Sequence, residues 1–203
     1  MKERDLCGIP AFRSQSYRSI DQLASTFRRE LGYEDTERFD AMKFFNKQVG
    51  DLEVQSKGQT IAVEEAVDKC QQEGLVRWDP ESTVMYFVLS EKTHSDLRRG
   101  VQRATFTVAH EAGHLKLHTE EIMGLAGLNL QSQAALHRHA DPHPWYLDTE
   151  WQANAFAAAL LMPKAQLTQM RRNGWIEPRE VAEFYGVSET TAKIRIMNLR
   201  RCS

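Results

Sequence analysis

The stretch RATFTVAHEAGHLKLH, Arg103 to His118, sets His110 and His114 four residues apart inside an unbroken helical pattern. On an α-helix, positions four apart share a face, so both imidazoles point the same way and can meet one tetrahedral cation. Glu111 stands about one helical step off that face, where a carboxylate is placed to take a proton from a water held there. Phe106, Ala109, Ala112 and Leu115 give this helix an apolar back, and Gly113 leaves room for another element to come close. The five-residue motif alone also fits two surface histidines on a helix, the less favoured reading, and a catalytic metal needs a third ligand. Glu150, opening the apolar run TEWQANAFAAALLMP, is the best donor, and Asp148 is its rival. Asn154 shares a helical face with Glu150 and can support a ligand or Glu111 from behind.

Other histidines fit the motif less directly. Five of the seven lie between positions 110 and 139. His118 continues the row one turn beyond His114, too far to join the same ion, and reads as a cap or packing residue. His137, His139 and His143 crowd the loop HRHADPH, where facing a substrate and simple solvation are both open readings. The long pattern HExxHxxGxxH fails at Leu117 and Glu120, which favours two histidines with one glutamate as the ligand set.

Working outward, Ser19 to Leu31 places Ile20, Leu23, Ala24, Phe27 and Leu31 at helical spacing, with Ser19 as the expected N-cap and Gly32 as the stop. Thr36 to Gln48 repeats the pattern through Phe39, Met42 and Phe45. Leu52 to Gln55 suits a strand, and Val63 to Gln72 reads as a third helix ending at Gly74. LVRW and TVMYFVLS flank Asp79-Pro80-Glu81-Ser82 as a hairpin, and Thr83 to Leu89 is a candidate edge for aligning an extended substrate. A polar loop carrying His94, Arg98 and Arg99 leads to Gly100. Glu120 to Pro144 reads as an irregular connection with a short helix near Leu136. The helix from about Asp148 ends at Met162, before Pro163. From Arg179 to Leu199, Ala182, Gly186 and Ser188 sit as in a helix-turn-helix. The arginines and lysines around it, Arg171, Arg172, Lys193, Arg195, Arg200 and Arg201, allow direct DNA binding. Ile194, Ile196, Met197 and Leu199 instead suggest a helical hairpin buried against the rest.

The 203 residues carry a net charge of −2, with 41% hydrophobic and 27% charged residues, which describes a folded protein and not one whose whole surface grips nucleic acid. Cys7, Cys70 and Cys202 lie far apart and form no CxxC, so neither a zinc ribbon nor a disulfide framework is expected. There is no apolar run of about 18 residues and no charged-then-apolar leader, so a cytoplasmic protein without a membrane partner is expected.

The string from Arg103 to His118, followed by EWQANAFAAALLMP (Glu150 to Pro163), resembles the ImmA/IrrE family of zinc-dependent endopeptidases. The resemblance covers roughly residues 60 to 200. It implies Zn²⁺ held by His110, His114 and Glu150, with Glu111 as catalytic base. Gln152 stands where the family pattern often carries an acid. The fold implied is α+β, a mainly helical zincin-like protease with a small β-sheet and a helix-turn-helix-like C-terminal segment. Three divisions are expected: an N-terminal helical segment over 1–60, the metalloprotease core over 61–163, and a C-terminal helical segment over 164–203. The family is associated with cleaving a helix-turn-helix repressor in mobile-element or stress-response control, which makes a protein substrate the expected partner. The alternatives are a DNA-binding regulator, or a protein-binding partner, whose metal site is not catalytic.

Overall fold

The computed structural model describes residues 8–34, 36–126, 143–174 and 177–199. Its helices outweigh one small sheet, the mixed α+β arrangement expected. Helix α1 runs Tyr17–Glu30, and its N-cap is Ser16, not Ser19. The two serines form a capping box: Ser19 N donates to Ser16 Oγ at 3.1 Å and Ser16 N to Ser19 Oγ at 2.8 Å. The second helical stretch begins only after Asp40, which caps it by accepting from Lys43 N at 2.9 Å. A short α2, Ala41–Lys43, widens into a π turn over Phe44–Gln48. The wider turn lets the adjacent rings of Phe44 and Phe45 both face the core.

Strands β1 (Glu53–Ser56), β2 (Gln59–Asp68), β3 (Gly74–Asp79) and β4 (Val84–Ser90) form one sheet in the order β1-β2-β4-β3. The helix expected over 63–72 is therefore a strand over most of its length. Glu64, Glu65 and Ala66 favour helix in isolation, but Val63 to Asp68 pair in parallel with Met85 to Ser90, and Ile61 and Val63 turn inward. Packing against β4 overrides a weak local preference. The expected hairpin is present, with β3 antiparallel to β4. Because β4 has neighbours on both sides, its backbone is already paired and it is not the edge anticipated for Thr83 to Leu89; among the described residues the edges are β1 and β3.

The polar stretch after β4 is a helix, α3 (Glu91–Arg98), capped by Ser90 and burying Leu97. One apolar residue in that window left too thin a signal to read. Helix α4 spans Gln102–Leu117, and α5 (Thr119–Leu125) orders the first part of the supposedly irregular connection. The expected helix near Leu136, with His137 and His139, lies outside the described residues. Helices α6 (Thr149–Leu161), α7 (Lys164–Arg172), α8 (Pro178–Tyr185) and α9 (Glu189–Leu199) follow among the described residues. Among the described residues no helix is long and apolar enough to cross a membrane.

Helix α4 packs against the sheet through β3 and β4, and against α6 on another side. Helix α1 also packs on α6, and rings link these layers: Phe27 lies 6.0 Å from both Phe44 and Phe156, and Phe44 lies 5.8 Å from Phe87. Apolar residues from Ile20 to Leu199 join one cluster. The turn between α8 and α9 uses Gly186 at φ +66°, and Ser188 Oγ accepts from Thr191 N at 3.1 Å, as the sequence suggested. Helix α9 buries Ala192 and Leu199, whereas Ile194 and Met197, expected inside, are 49% and 56% exposed. Arg195 is no surface cation. It is buried, donating from Nε to Met162 O at 3.1 Å and from Nη2 to Asp21 Oδ1 at 2.5 Å.

Arg195→Ala strands a buried carboxylate at Asp21, and a loss of about 3–5 kcal/mol is expected in chemical denaturation. Wild-type stability in that variant would exclude a stabilising role for the pair. Gly113→Val should cost roughly 1–3 kcal/mol through overpacking, because a Cβ there meets Ala153 Cα at 3.0 Å and Ala153 O at 3.1 Å. The same denaturation experiment reads it.

Candidate metal centre

Helix α4 presents His110 and His114 on one face, and the first turn of α6 delivers Glu150 opposite them. The two imidazole Nε2 atoms are 3.0 Å apart. Glu150 Oε2 lies 3.2 Å from His110 Nε2, and Oε1 lies 3.2 Å from His114 Nε2. These are the three side chains proposed as ligands, and they form the His/His/Glu group able to hold a metal among the described residues. The donor set passes a simple test of fit. Donors about 2.0–2.1 Å from a tetrahedral centre stand roughly 3.3 Å from one another, close to the spacing seen. Three half-buried nitrogen and oxygen donors turned toward one point suit a borderline divalent cation.

Both histidine ligands are held from behind. His110 Nδ1 lies 3.1 Å from Asn154 Oδ1, so Asn154 supports a ligand, one of the two roles foreseen for it. His114 Nδ1 lies 3.1 Å from His118 Nδ1, and His118 Nε2 lies 3.1 Å from Gln152 Oε1. His118 does cap α4 and pack, as expected, but its contact with a ligand went unforeseen. Asp148, the rival donor, is committed elsewhere. It caps α6 by accepting from Trp151 N at 2.7 Å, accepts from Gly8 N at 3.0 Å, and meets His143 Nε2 at 3.2 Å. This places His143, from the expected loop cluster, against Asp148.

The segment before α1 crosses the start of α6. Ala11 N donates to Leu147 O at 2.6 Å, Thr149 N to Ile9 O at 3.1 Å, and Ile9 N to Thr149 Oγ1 at 3.1 Å. Gly8 is required there, since a Cβ would stand 2.7 Å from Glu150 N. No sequence motif announced this strap. Its residues fit the cleft by backbone hydrogen bonds, which side-chain patterns do not reveal.

Glu111 lies beside the ligands and under the start of β3, and only 7% of it is exposed. A Cβ on Gly74 would stand 2.9 Å from Glu111 Cγ, so the strand passes directly over the carboxylate. Next door, Glu73 ties β3 to α4 through Arg103 at 2.7 Å and Thr107 at 3.3 Å. Burial pushes the Glu111 carboxyl up, with His114 and His110 opposing. Burial also disfavours charge at Glu150, yet hydrogen bonds from His110 and His114 hold that carboxyl well below its ordinary range. For His110, burial works against the cation but the Glu150 hydrogen bond and the charge of Glu111 outweigh it. Burial, reinforced by neighbouring His114, drops His118 to about 3 and keeps it neutral. The cluster thus holds ionised Glu150 beside a carboxyl of raised proton affinity, an arrangement that can bind a cation and exchange a proton next to it.

A comparison with curated proteins returns no match. The IrrE N-terminal-like domain of the M78 peptidases matches residues 94–197, which takes in α4, α6 and the C-terminal helices. With more than half its length inside that match, and with His110, His114 and Glu150 converging within it, the chain belongs to the M78 metallopeptidase family.

Proposed function

We propose that the protein is a zinc-dependent endopeptidase, with His110, His114 and Glu150 as metal ligands and Glu111 as catalytic base. Its substrate in this reading is a protein, a DNA-binding repressor in mobile-element or stress-response control. The observation that carries the reading is the convergence of three ligand atoms beside a buried, unligated carboxylate of raised proton affinity. A structural zinc closed by four protein ligands needs no such neighbour.

Bound Zn²⁺ supplies Lewis acidity, activating a water and polarising the scissile carbonyl near neutral pH. The protein's own residues do the rest. Glu111 takes the proton of the attacking water and returns it to the leaving amine, and its burial raises the affinity that the first transfer needs. Asn154 holds the His110 ring in place. Strand β3, an edge of the sheet among the described residues, begins over Glu111, so an extended peptide adding to β3 comes near the base. Gly74 matters for this because a side chain there would strike Glu111.

The deciding experiment incubates the purified chain and Zn²⁺ with repressors encoded beside it and follows intact masses. Cleavage that stops on chelation and returns with zinc is expected. Metal uptake without cleavage, joined to tight, salt-sensitive duplex binding, would favour a DNA-binding regulator instead. Glu111→Gln should retain zinc by metal analysis and lose about 10²–10⁴-fold in hydrolysis. A wild-type rate in that variant would remove Glu111 as the base. Gly74→Val should keep zinc content but lower kcat/KM at least tenfold (about 1.4 kcal/mol of transition-state stabilisation), and unchanged kinetics would separate β3 from the cleft.

A further inference from the structure

Gln152 is almost wholly buried, at 1% exposure, and its amide orientation has a single consistent assignment. Its Nε2 lies 2.9 Å from Arg13 O and 2.8 Å from Tyr146 O. Carbonyl oxygens only accept, so the amide nitrogen must face them, and Oε1 must face His118. The reverse orientation would set three oxygens against one another in a buried site. An acceptor 3.1 Å from His118 Nε2 requires the proton of that ring on Nε2. His118 Nδ1 is then a lone pair, 3.1 Å from His114 Nδ1, and His114 must donate its Nδ1–H there. Its remaining nitrogen, Nε2, faces His110 and Glu150 and is the one that exchanges its hydrogen bond to Glu150 for a bond to a cation. One amide therefore determines the tautomers of two imidazoles in series.

We propose that Gln152 and His118 are positioning residues that lock His114 into its metal-binding tautomer, and that the strap before α1 anchors them through the Arg13 carbonyl. The inference rests on the metal-ligand reading above but not on hydrolysis. Glutamine suits the task because it donates twice to backbone and accepts once from a ring, which a carboxylate does not do. A doubly protonated His118 would turn Nδ1–H toward His114 and force that ring's proton onto the metal-facing nitrogen, so a neutral partner at position 152 is consistent with ligation. The strap thereby reaches the centre: displacing Arg13 O frees the amide, the amide frees His118, and His118 frees His114.

The test combines a spectrum with an affinity. Two-bond ¹H–¹⁵N correlations on the full Zn²⁺-bound chain labelled in histidine should report His114 protonated on Nδ1 alone and His118 on Nε2 alone. The opposite tautomer at either ring overturns the proposal. Zn²⁺ affinity, measured by competition with a chromophoric chelator, should fall about 10–100-fold in His118→Leu, which offers His114 no acceptor. His118→Asn puts an amide oxygen near the place of Nδ1 and should recover most of that loss. Equal affinities for the two variants and wild type would overturn the chain, whatever their unfolding midpoints. If His118→Leu does not fold, the wild-type spectrum and the asparagine variant still decide. Zinc binding with these tautomers but no proteolysis would defeat the hydrolytic reading and leave this one standing.

Discussion

The backbones of α4 and α6 meet at Gly113, where a Cβ would stand 3.0 Å from Ala153 Cα. That contact sets the separation of the two helices, and so the distance from the histidine face of one to the first turn of the other. Both helices carry small buried residues nearby, Ala109 and Ala112 on α4 and Ala153 and Ala157 on α6. With larger side chains the helices would part, and a carboxylate 3.2 Å from two imidazoles would lose both. A tightly packed interface resists such adjustment, so ligand geometry is inherited from helix packing and not from loop conformation. The metal centre is in this sense a by-product of a glycine–alanine seam.

The sheet contributes to the same end from the other side. Strand β3, an end strand of the sheet among the described residues, lies across α4 with Gly74 against Glu111, which keeps the carboxylate out of water. Arg103 and Thr107 hold Glu73, fixing the strand relative to the helix that carries the histidines. Burial of the base and placement of the edge are thus one structural fact. The aromatic chain of Phe27, Phe44, Phe87 and Phe156 ties this sheet to α1 and α6, so the support extends well past the ligands.

Much of this was legible beforehand because the signals were periodic or chemical. The spacing of His110 and His114, the apolar run after Glu150, and the hairpin around Asp79 each encode local geometry in residue type. What escaped was set by tertiary partners. Val63 to Asp68 carries helix-forming residues yet becomes a strand, since β4 offers a parallel ladder and an apolar face that no local window contains. Asp148 stood as a rival donor to Glu150 until the N-cap and Gly8 claimed its oxygens. Gln152 looked like the absence of an acid, although its two backbone contacts come from segments distant in sequence or folded back upon it. Arg195 looked like part of a basic surface because nothing nearby reveals Asp21, which lies on the first helix.

That last pairing bears on how the molecule is made. Asp21 and Arg195 belong to the first and last described helices, and their ion pair is buried beside the end of α6. During synthesis, α1 emerges long before its counter-charge exists, and docking it early would bury a lone carboxylate at a cost of several kcal/mol. Final closure of the core around Asp21 thus waits until α9 has left the ribosome. A long-range closing contact of this kind slows folding, as loop entropy must be spent before the contact forms. In return, a chain cut short before Arg195 cannot hide Asp21, which makes immature molecules distinguishable from finished ones by their stability alone.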